Sequence, residues 1–486
     1  MIPFKPVELS DKATIERYTL NSECRNCDMA FANIFCWREF HHTAWAVVDE
    51  FLIIRFLIDG HHTVGYMQPI GEGDFSHLLP LLEQDAREHF GQQLRLYGLC
   101  REGRGCITGS PYHNRFAYDD DRSLSDYIYS AEDLRSLTGR KYQPKRNHLN
   151  RFTNSYDYRY EPLSPHHFAD CLQLEAAWRT ARTSETDSEA MRHEQRALRE
   201  AFDHWEALDL RGGVIYVGEQ LAAFTYGSQI NYDTFDCHIE KADTRYEGIF
   251  AAINKLFADH LPATFTYINR EEDMGLEGLR RSKLSYYPTL LWPKTTALLL
   301  SEEQRACKAL WQEVFGDDDA FVDRFLIHHF SSEQMLRIEE DRPEPATFDN
   351  EGETPEPPKH NSPKYRKLLS MLHLIGFHTP EGERVGYIYG VATAPEARGR
   401  GLATRLLQEA IRRGQTEGLK ALILIPADDQ VRSFYARHGF TGEVPTRFLA
   451  TADFDFGTGT PDHDRAMVLP LSAEFSIPAE LELHKG

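Results

Sequence analysis

A chain of 486 residues exceeds what one hydrophobic core organises, and its 41% hydrophobic and 27% charged residues are the composition of a folded protein, so two to four domains are expected. The formal net charge of −21 argues against wholesale nucleic-acid binding, which requires phosphates to be neutralised. No run approaches the roughly 18 apolar residues of a membrane span. Eight cysteines are too sparse for a disulfide scaffold, and the opening Met1-Ile-Pro-Phe-Lys-Pro lacks the basic and apolar regions of a signal peptide, so a cytoplasmic location is expected.

In chain order, Cys24 and Cys27 form a C-x-x-C pair with no second pair at zinc spacing, which reads as two ordinary thiols, a metal site being the weaker alternative. Residues 45–55 alternate as a hairpin, 78–90 as a helix and 94–99 as a strand. Segment 139–152 holds five basic residues and no acid, and is suited to an anionic ligand. Helices are expected over 165–180 and 189–207, then a meander of strands over 213–217, 221–230 and 234–239, a helix over 248–258 and a strand over 265–268. Polar residues crowd after that strand: Asn269, Glu271, Asp273, Arg280, Arg281 and Lys283. Ligands of α/β sheets gather at such strand ends, and Arg146 with Lys283 would hold a phosphate or carboxylate there, beside Asn269 and Glu271. A solvated, self-paired charge cluster is the plainer alternative. Glu240 and Lys241 read as a local ion pair at a strand end.

Helices over 301–315 and 320–330 precede residues 341–363, whose six acids and five prolines up to Pro358 cannot bury enough surface to fold, and which read as a flexible excursion. An apolar segment over 368–377 and a strand over 385–393 follow. Arg398-Gly-Arg-Gly-Leu-Ala403 then opens a helix whose one face carries Leu402, Ala403, Leu406, Leu407, Ala410 and Ile411. Glycines at a strand-to-helix turn let backbone approach a ligand, and the exposed N–H groups and helix dipole favour an anion, naturally a phosphate or pyrophosphate. Alone, the turn would read as an ordinary tight turn. Its spacing is neither Gly-x-x-x-x-Gly-Lys-[Ser/Thr] nor Gly-x-Gly-x-x-Gly. A strand over 419–426 and a short helical stretch ending in Tyr435-Ala-Arg-His-Gly-Phe440 complete the pattern.

Arg-x-x-Gly-x-Ala (Arg398, Gly401, Ala403) and Tyr-x-x-x-Gly-Phe resemble the GCN5-related N-acetyltransferase (GNAT) family. The resemblance implies acetyl-coenzyme A as acyl donor. Its pyrophosphate would lie on Arg398, Gly399, Arg400, Gly401, Leu402 and Ala403, its pantetheine arm along the strand of Val391 and Thr393, and Tyr435 would protonate the leaving thiolate. Asp428 stands where the family often has asparagine, a cofactor contact. No general base is identified, since Tyr387 and Tyr389 occupy strand positions where some relatives carry a carboxylate.

Segments 139–152 and 267–288, with His238-Ile-Glu-Lys-Ala-Asp243, resemble the soluble domain of phosphatidylglycerol lysyltransferases and their cytosolic relatives over roughly residues 5–296. That resemblance implies paired GNAT-like folds. The expected class is therefore α/β (α+β), with three GNAT-like mixed-sheet units, the first two in tandem: 1–130, 131–296, and 297–472 with the insertion 341–363, followed by a tail over 473–486. Three functions follow. The C-terminal unit would acetylate a small amine or amino acid; or residues 1–296 would transfer an aminoacyl group from transfer RNA, a donor the acidic balance disfavours; or they would sense a ligand and regulate the acetyltransferase.

Overall fold

The structure is a computed structural model that describes residues 2–58, 62–180, 188–343, 364–449, 454, 456–457 and 464–485. The backbone divides into two compact units, residues 1–116 with 120–299, and residues 117–119 with 300–486. It holds three mixed sheets of seven strands.

One plan recurs in each sheet: an antiparallel meander, a helix, then a strand parallel to the last of the meander. In the first it is Ala44–Val48, Phe51–Ile58 and Thr63–Met67, helix Leu79–Phe90 and strand Arg95–Leu99. In the second it is Arg211–Val217, Gln220–Gln229 and Thr234–Ala242, helix Ile249–His260 and strand Tyr267–Asn269. In the third it is Met335–Pro343, Lys364–His378 and Arg384–Thr393, helix Leu402–Thr416 and strand Ala421–Leu424. These are the expected α/β mixed sheets. Local chemistry accounts for the pieces. The hairpin at 48–51 turns on Asp49 and Glu50, both at positive φ (47° and 62°), the twist that two-residue hairpins require. Helix Glu302–Phe315 starts on a reciprocal Ser301–Gln304 capping box.

The first two sheets exchange strands. Asp126–Ser130 pairs with Tyr267–Asn269 and Leu290–Trp292 in the second sheet, while Thr295–Leu299 returns to pair with Arg95–Leu99 in the first. Residues near 130 and 296 therefore cross between sheets instead of dividing them. Strand Gln220–Gln229 is buried along nearly its whole length, with Ile249, Ala252 and Ile253 of the helix among its packing neighbours. Arg211–Val217 and Gln220–Gln229 also contribute to a core with Trp205, Phe202 and Phe35.

In the third sheet Leu406, Leu407 and Ala410 pack on Leu372, Leu374, Ile388, Leu422 and Leu424, the face that the heptad-like spacing of the helix implied. Each such buried aliphatic side chain stabilises by about 1.5–3 kcal/mol, so this face holds the helix in place. Two details differ from the sequence reading. Residues 473–486 are not a separate tail: Leu481–Lys485 is a strand that pairs with Thr441–Leu449 and with Phe377–His378. Residues 341–343 finish the strand Met335–Pro343, and the rest of the excursion, 344–363, lies outside the described residues.

Candidate functional site

Strand Arg384–Thr393 is split from its parallel neighbour. Pairing with Ala421–Leu424 is limited to Val385, Gly386 and Tyr387, against Ala421, Leu422 and Ile423. Beyond Tyr387 the two strands part, and a register shift against Lys364–His378 between Met371 and His373 bends the chain further. Gly390 sits at this bend with φ +59°, and a Cβ there would meet the Trp311 ring at 2.9 Å. Val391 lies half-buried in the parted segment, and Thr393 is fixed by a 2.8 Å hydrogen bond between its hydroxyl and that of Ser370.

The glycine turn follows directly. Gly399 and Gly401 adopt φ +75° and +72°, Gly401 is the N-cap of helix Leu402–Thr416, and a Cβ on either would find open space. The first-turn N–H groups of a helix have no intrahelical acceptor, so Leu402 and Ala403 present donors at the positive end of the dipole. Arg398 is exposed, and Arg400 pairs with Glu340 at 3.1 Å across the surface. An exposed pair of this kind is worth at most about 1 kcal/mol.

Tyr435 lies on helix Asp429–Ala436. Only 6% exposed, it packs in the core with Leu406, Leu424 and Phe440, and burial pushes its phenol up to about 12, so it keeps its proton at neutral pH. Asp428 stands at the start of this helix. It is exposed and caps this same helix, accepting the Val431 N–H at 2.7 Å. Tyr387 is buried and donates to the Phe456 carbonyl at 3.2 Å.

The second sheet has the same split but fills it. Thr234–Ala242 pairs in parallel with Tyr267–Asn269 at Thr234, Phe235 and Asp236, and no further. The helix that follows is N-capped by Gly248 at φ +87°, yet a Cβ there would lie 2.2 Å from the His148 carbonyl oxygen. Packing of helix Gln143–Ser155 thus occupies the place that Gly399 and Gly401 leave open in the third sheet.

Where the strands part, buried ionic groups gather. His238 Nδ1 is 3.2 Å from Asp236 Oδ2 and 3.4 Å from Glu271 Oε1, and its Nε2 is 2.8 Å from the Ser228 hydroxyl. Burial opposes the imidazolium, but the two carboxylates prevail and hold it up at about 9. Lys294 is 7% exposed and lies 2.8 Å from Asp126, 3.1 Å from Glu272, 3.2 Å from Asp28 and 3.1 Å from the Cys27 sulfur. Burial raises Asp126 to about 6 against the pull of Lys294. Cys27 is therefore a member of a polar cluster and not an ordinary core thiol, whereas burial alone dominates Cys24, pushed up to about 12. Removing the central cation strands the buried carboxylates, so Lys294→Met is expected to cost about 3–5 kcal/mol, read as a lower urea midpoint at unchanged slope. A shift below about 1 kcal/mol would show that the carboxylates are solvated or neutral without Lys294.

The residues expected to hold an anion in this unit are arranged differently. Arg146 donates to the Leu137 and Gly139 carbonyls and to Gln143 within its own turn. Lys283 is buried and donates to the carbonyls of Arg270, Glu271 and Glu272. Among the described residues the two share no partner; each satisfies nearby backbone instead. Asn269 is fully buried, donates to the Arg25 carbonyl at 2.7 Å and to Asp126 at 2.8 Å, and accepts the Glu271 N–H at 2.7 Å. Asn269 and Glu271 do stand together through that last bond, with the Glu271 carboxylate beside His238. Glu240 and Lys241 are not paired with each other: Glu240 holds Arg270 at 2.9 Å and Lys241 holds Glu194 at 2.5 Å. Asp273 takes both arms of Arg280 and the Tyr127 hydroxyl, the self-paired alternative.

Asp126, Asp236, Glu272, Lys294 and Lys145 belong to no motif that marks them in the sequence. Only the same-face spacing of Asp236 and His238 within a strand hinted at the cluster. Lys145 lies half-buried with its ammonium 3.8 Å from the Tyr286 ring centre, and burial, then Arg270, lowers it to about 8.

Split mixed sheets with a glycine-capped helix define a GNAT-type acyltransferase fold, and the acetyltransferase (GNAT) family matches residues 366–440. The family described as phosphatidylglycerol lysyltransferase, C-terminal, matches residues 21–297, more than half of the chain, and the chain belongs to it. A conserved protein of unknown function from Bacteroides thetaiotaomicron, solved by crystallography, is 42% identical over 62% of this chain and 100% of that one, with a TM-score of 0.59. The L-PGS of Bacillus licheniformis is 14% identical over 62% of this chain and 94% of that one, with a TM-score of 0.43. An uncharacterised protein of Mycoplasmoides gallisepticum is 27% identical over 171 residues, 35% of this chain; the chain spans 54% of that relative's length. The chain thus couples a GNAT domain to one of aminoacyltransferase type. No helix among the described residues is long and apolar enough to cross a membrane.

Proposed function

We propose that this protein is an acyl-coenzyme A-dependent N-acyltransferase that moves an acetyl group from acetyl-coenzyme A to a small amine or amino acid, with its N-terminal domain binding substrate. The observation that carries this reading is the open, left-handed turn of Gly399 and Gly401 at the head of a helix, directly after a strand that has left its parallel neighbour. Its backbone N–H groups bind the pyrophosphate, with Arg398 and Arg400 adding charge. The edge at Val391 hydrogen-bonds the amides of the pantetheine arm and so aims the thioester past the parted strands. The amine nitrogen then bonds to the carbonyl carbon as the carbon–sulfur bond breaks, and the proton the nitrogen sheds on becoming an amide passes through water to replace the one Tyr435 gives up. Tyr435 donates its proton to the departing sulfur, a task suited to a phenol that burial keeps protonated.

Purified full-length protein with acetyl-coenzyme A, screened against a library of amines and amino acids, is expected to release free thiol with one acceptor class. Thiol release with none of them, in protein that binds the donor, would remove the acetyl-transfer reading. The family match over 21–297 supports a second reading, aminoacyl transfer from transfer RNA by the N-terminal domain. The same screen run with aminoacyl-transfer RNA as donor separates the two.

A further inference from the structure

We propose that Cys27, Asp236, Glu271 and His238 form a binding site for a divalent cation of the zinc type, a site distinct from the acyl-transfer residues 391–435. The Cys27 sulfur, one carboxylate oxygen of Asp236 and one of Glu271 all lie within 4.8 Å of one another. Ligands about 2.0–2.3 Å from a tetrahedral centre stand roughly 3.3–3.8 Å apart, so a small contraction closes these three on an ion. His238 Nδ1, 3.2 Å from Asp236 and 3.4 Å from Glu271, stands beside these three and would become the fourth donor on moving toward them.

Three further features fit a metal. Asp236 Oδ1 is buried without a hydrogen-bond partner, an arrangement that costs about 1–3 kcal/mol unless something else satisfies it, and a cation would. His238 Nε2 meets the Ser228 hydroxyl at 2.8 Å; an ion that displaced the Nδ1 proton would leave the other proton on Nε2, the outer-shell pattern that orients metal-bound histidines. Asn33 Nδ2 braces both carboxylates, 3.4 Å from Asp236 Oδ2 and 3.2 Å from Glu271 Oε1. The neighbouring triad of Cys27, Asp126 and Glu272 also has ligand spacing, but the Lys294 ammonium already sits among its atoms. Burial, then Asp126, holds the Cys27 thiol well above its ordinary range; Lys294, 3.1 Å from the sulfur, offsets part of this, and an ion would have to displace the thiol proton. One sulfur, one imidazole nitrogen and two carboxylate oxygens suit zinc; magnesium and calcium would avoid the thiolate. The ion would join the turn at Cys27 to the strand of Asp236 and His238 and to the loop at Glu271, three segments far apart in sequence.

The test is elemental analysis of the full chain, stripped with chelator, reloaded with zinc and dialysed. One equivalent of zinc per chain is expected in the wild type, and almost none in Asp236→Asn or Glu271→Gln. Glu271 is half-exposed, so Glu271→Gln keeps the fold under test if the more deeply buried Asp236→Asn does not fold. With cobalt in place of zinc, the sulfur-to-metal charge-transfer band should be present in wild type and missing in Cys27→Ala. Clearly substoichiometric zinc, equal loading in folded Glu271→Gln, or a cobalt spectrum without a sulfur band would each overturn the site and leave His238 as an imidazolium between its two carboxylates.

Discussion

Gly401→Glu is expected to abolish acetyl-coenzyme A binding, measured as the loss of a calorimetric signal that the wild type gives. Two effects act together. Gly401 holds φ +72°, where an ordinary residue is strained by about 1–2 kcal/mol. More importantly, the new carboxylate would stand at the N-cap of helix Leu402–Thr416, on the ground assigned to the pyrophosphate, and would replace an attractive helix end with charge repulsion. Strain and repulsion separate by a control. Gly418 also has positive φ (+73°) and open space for a Cβ, but lies beyond the far end of the same helix. Gly418→Glu should therefore carry similar strain and bind the donor normally. Unchanged affinity in folded Gly401→Glu would remove the cradle assignment, and equal loss in both variants would attribute the effect to the fold.

Tyr435→Phe should lower kcat by about 10²-fold, the low end for a positioned general acid, while leaving donor affinity nearly intact. The phenyl ring keeps the packing against Leu406, Leu424 and Phe440, so only the hydroxyl is removed. Because burial holds this phenol near 12, the wild-type rate should not lose its acid anywhere between neutral pH and about 10. Parallel losses of affinity and rate would instead make Tyr435 a contact for the pantetheine arm or a packing residue.

The elements of this protein were legible from its sequence wherever the information is local. The 45–55 hairpin, the meander at 211–242 and the amphipathic helix from Leu402 each follow from side-chain periodicity and turn chemistry within a few residues. The cradle belongs to the same class, since its glycines, helix and following strand are contiguous in the chain. So is the resemblance of 139–152 and 267–288 to the lysyltransferase family, carried by short runs of sequence.

Tertiary structure decided what those pieces do together. Sequence places a glycine at the head of two comparable helices, but only packing reveals that His148 crowds Gly248 while Gly399 and Gly401 face open space. Arg146 and Lys283 are long, adaptable cations, and nothing in their sequence context said that each would find backbone carbonyls closer than any shared anion. Leu481–Lys485 becomes part of the third sheet only because strands far back in the chain offer it edges to pair with. The buried cluster is the extreme case: Lys294 reaches Cys27 across 267 residues, and Asp126 reaches Cys27 across 99. Local patterning can specify which face a side chain takes within its own strand or helix. It cannot say which distant charge will be waiting there, because that is set by how sheets exchange strands and where paired strands part.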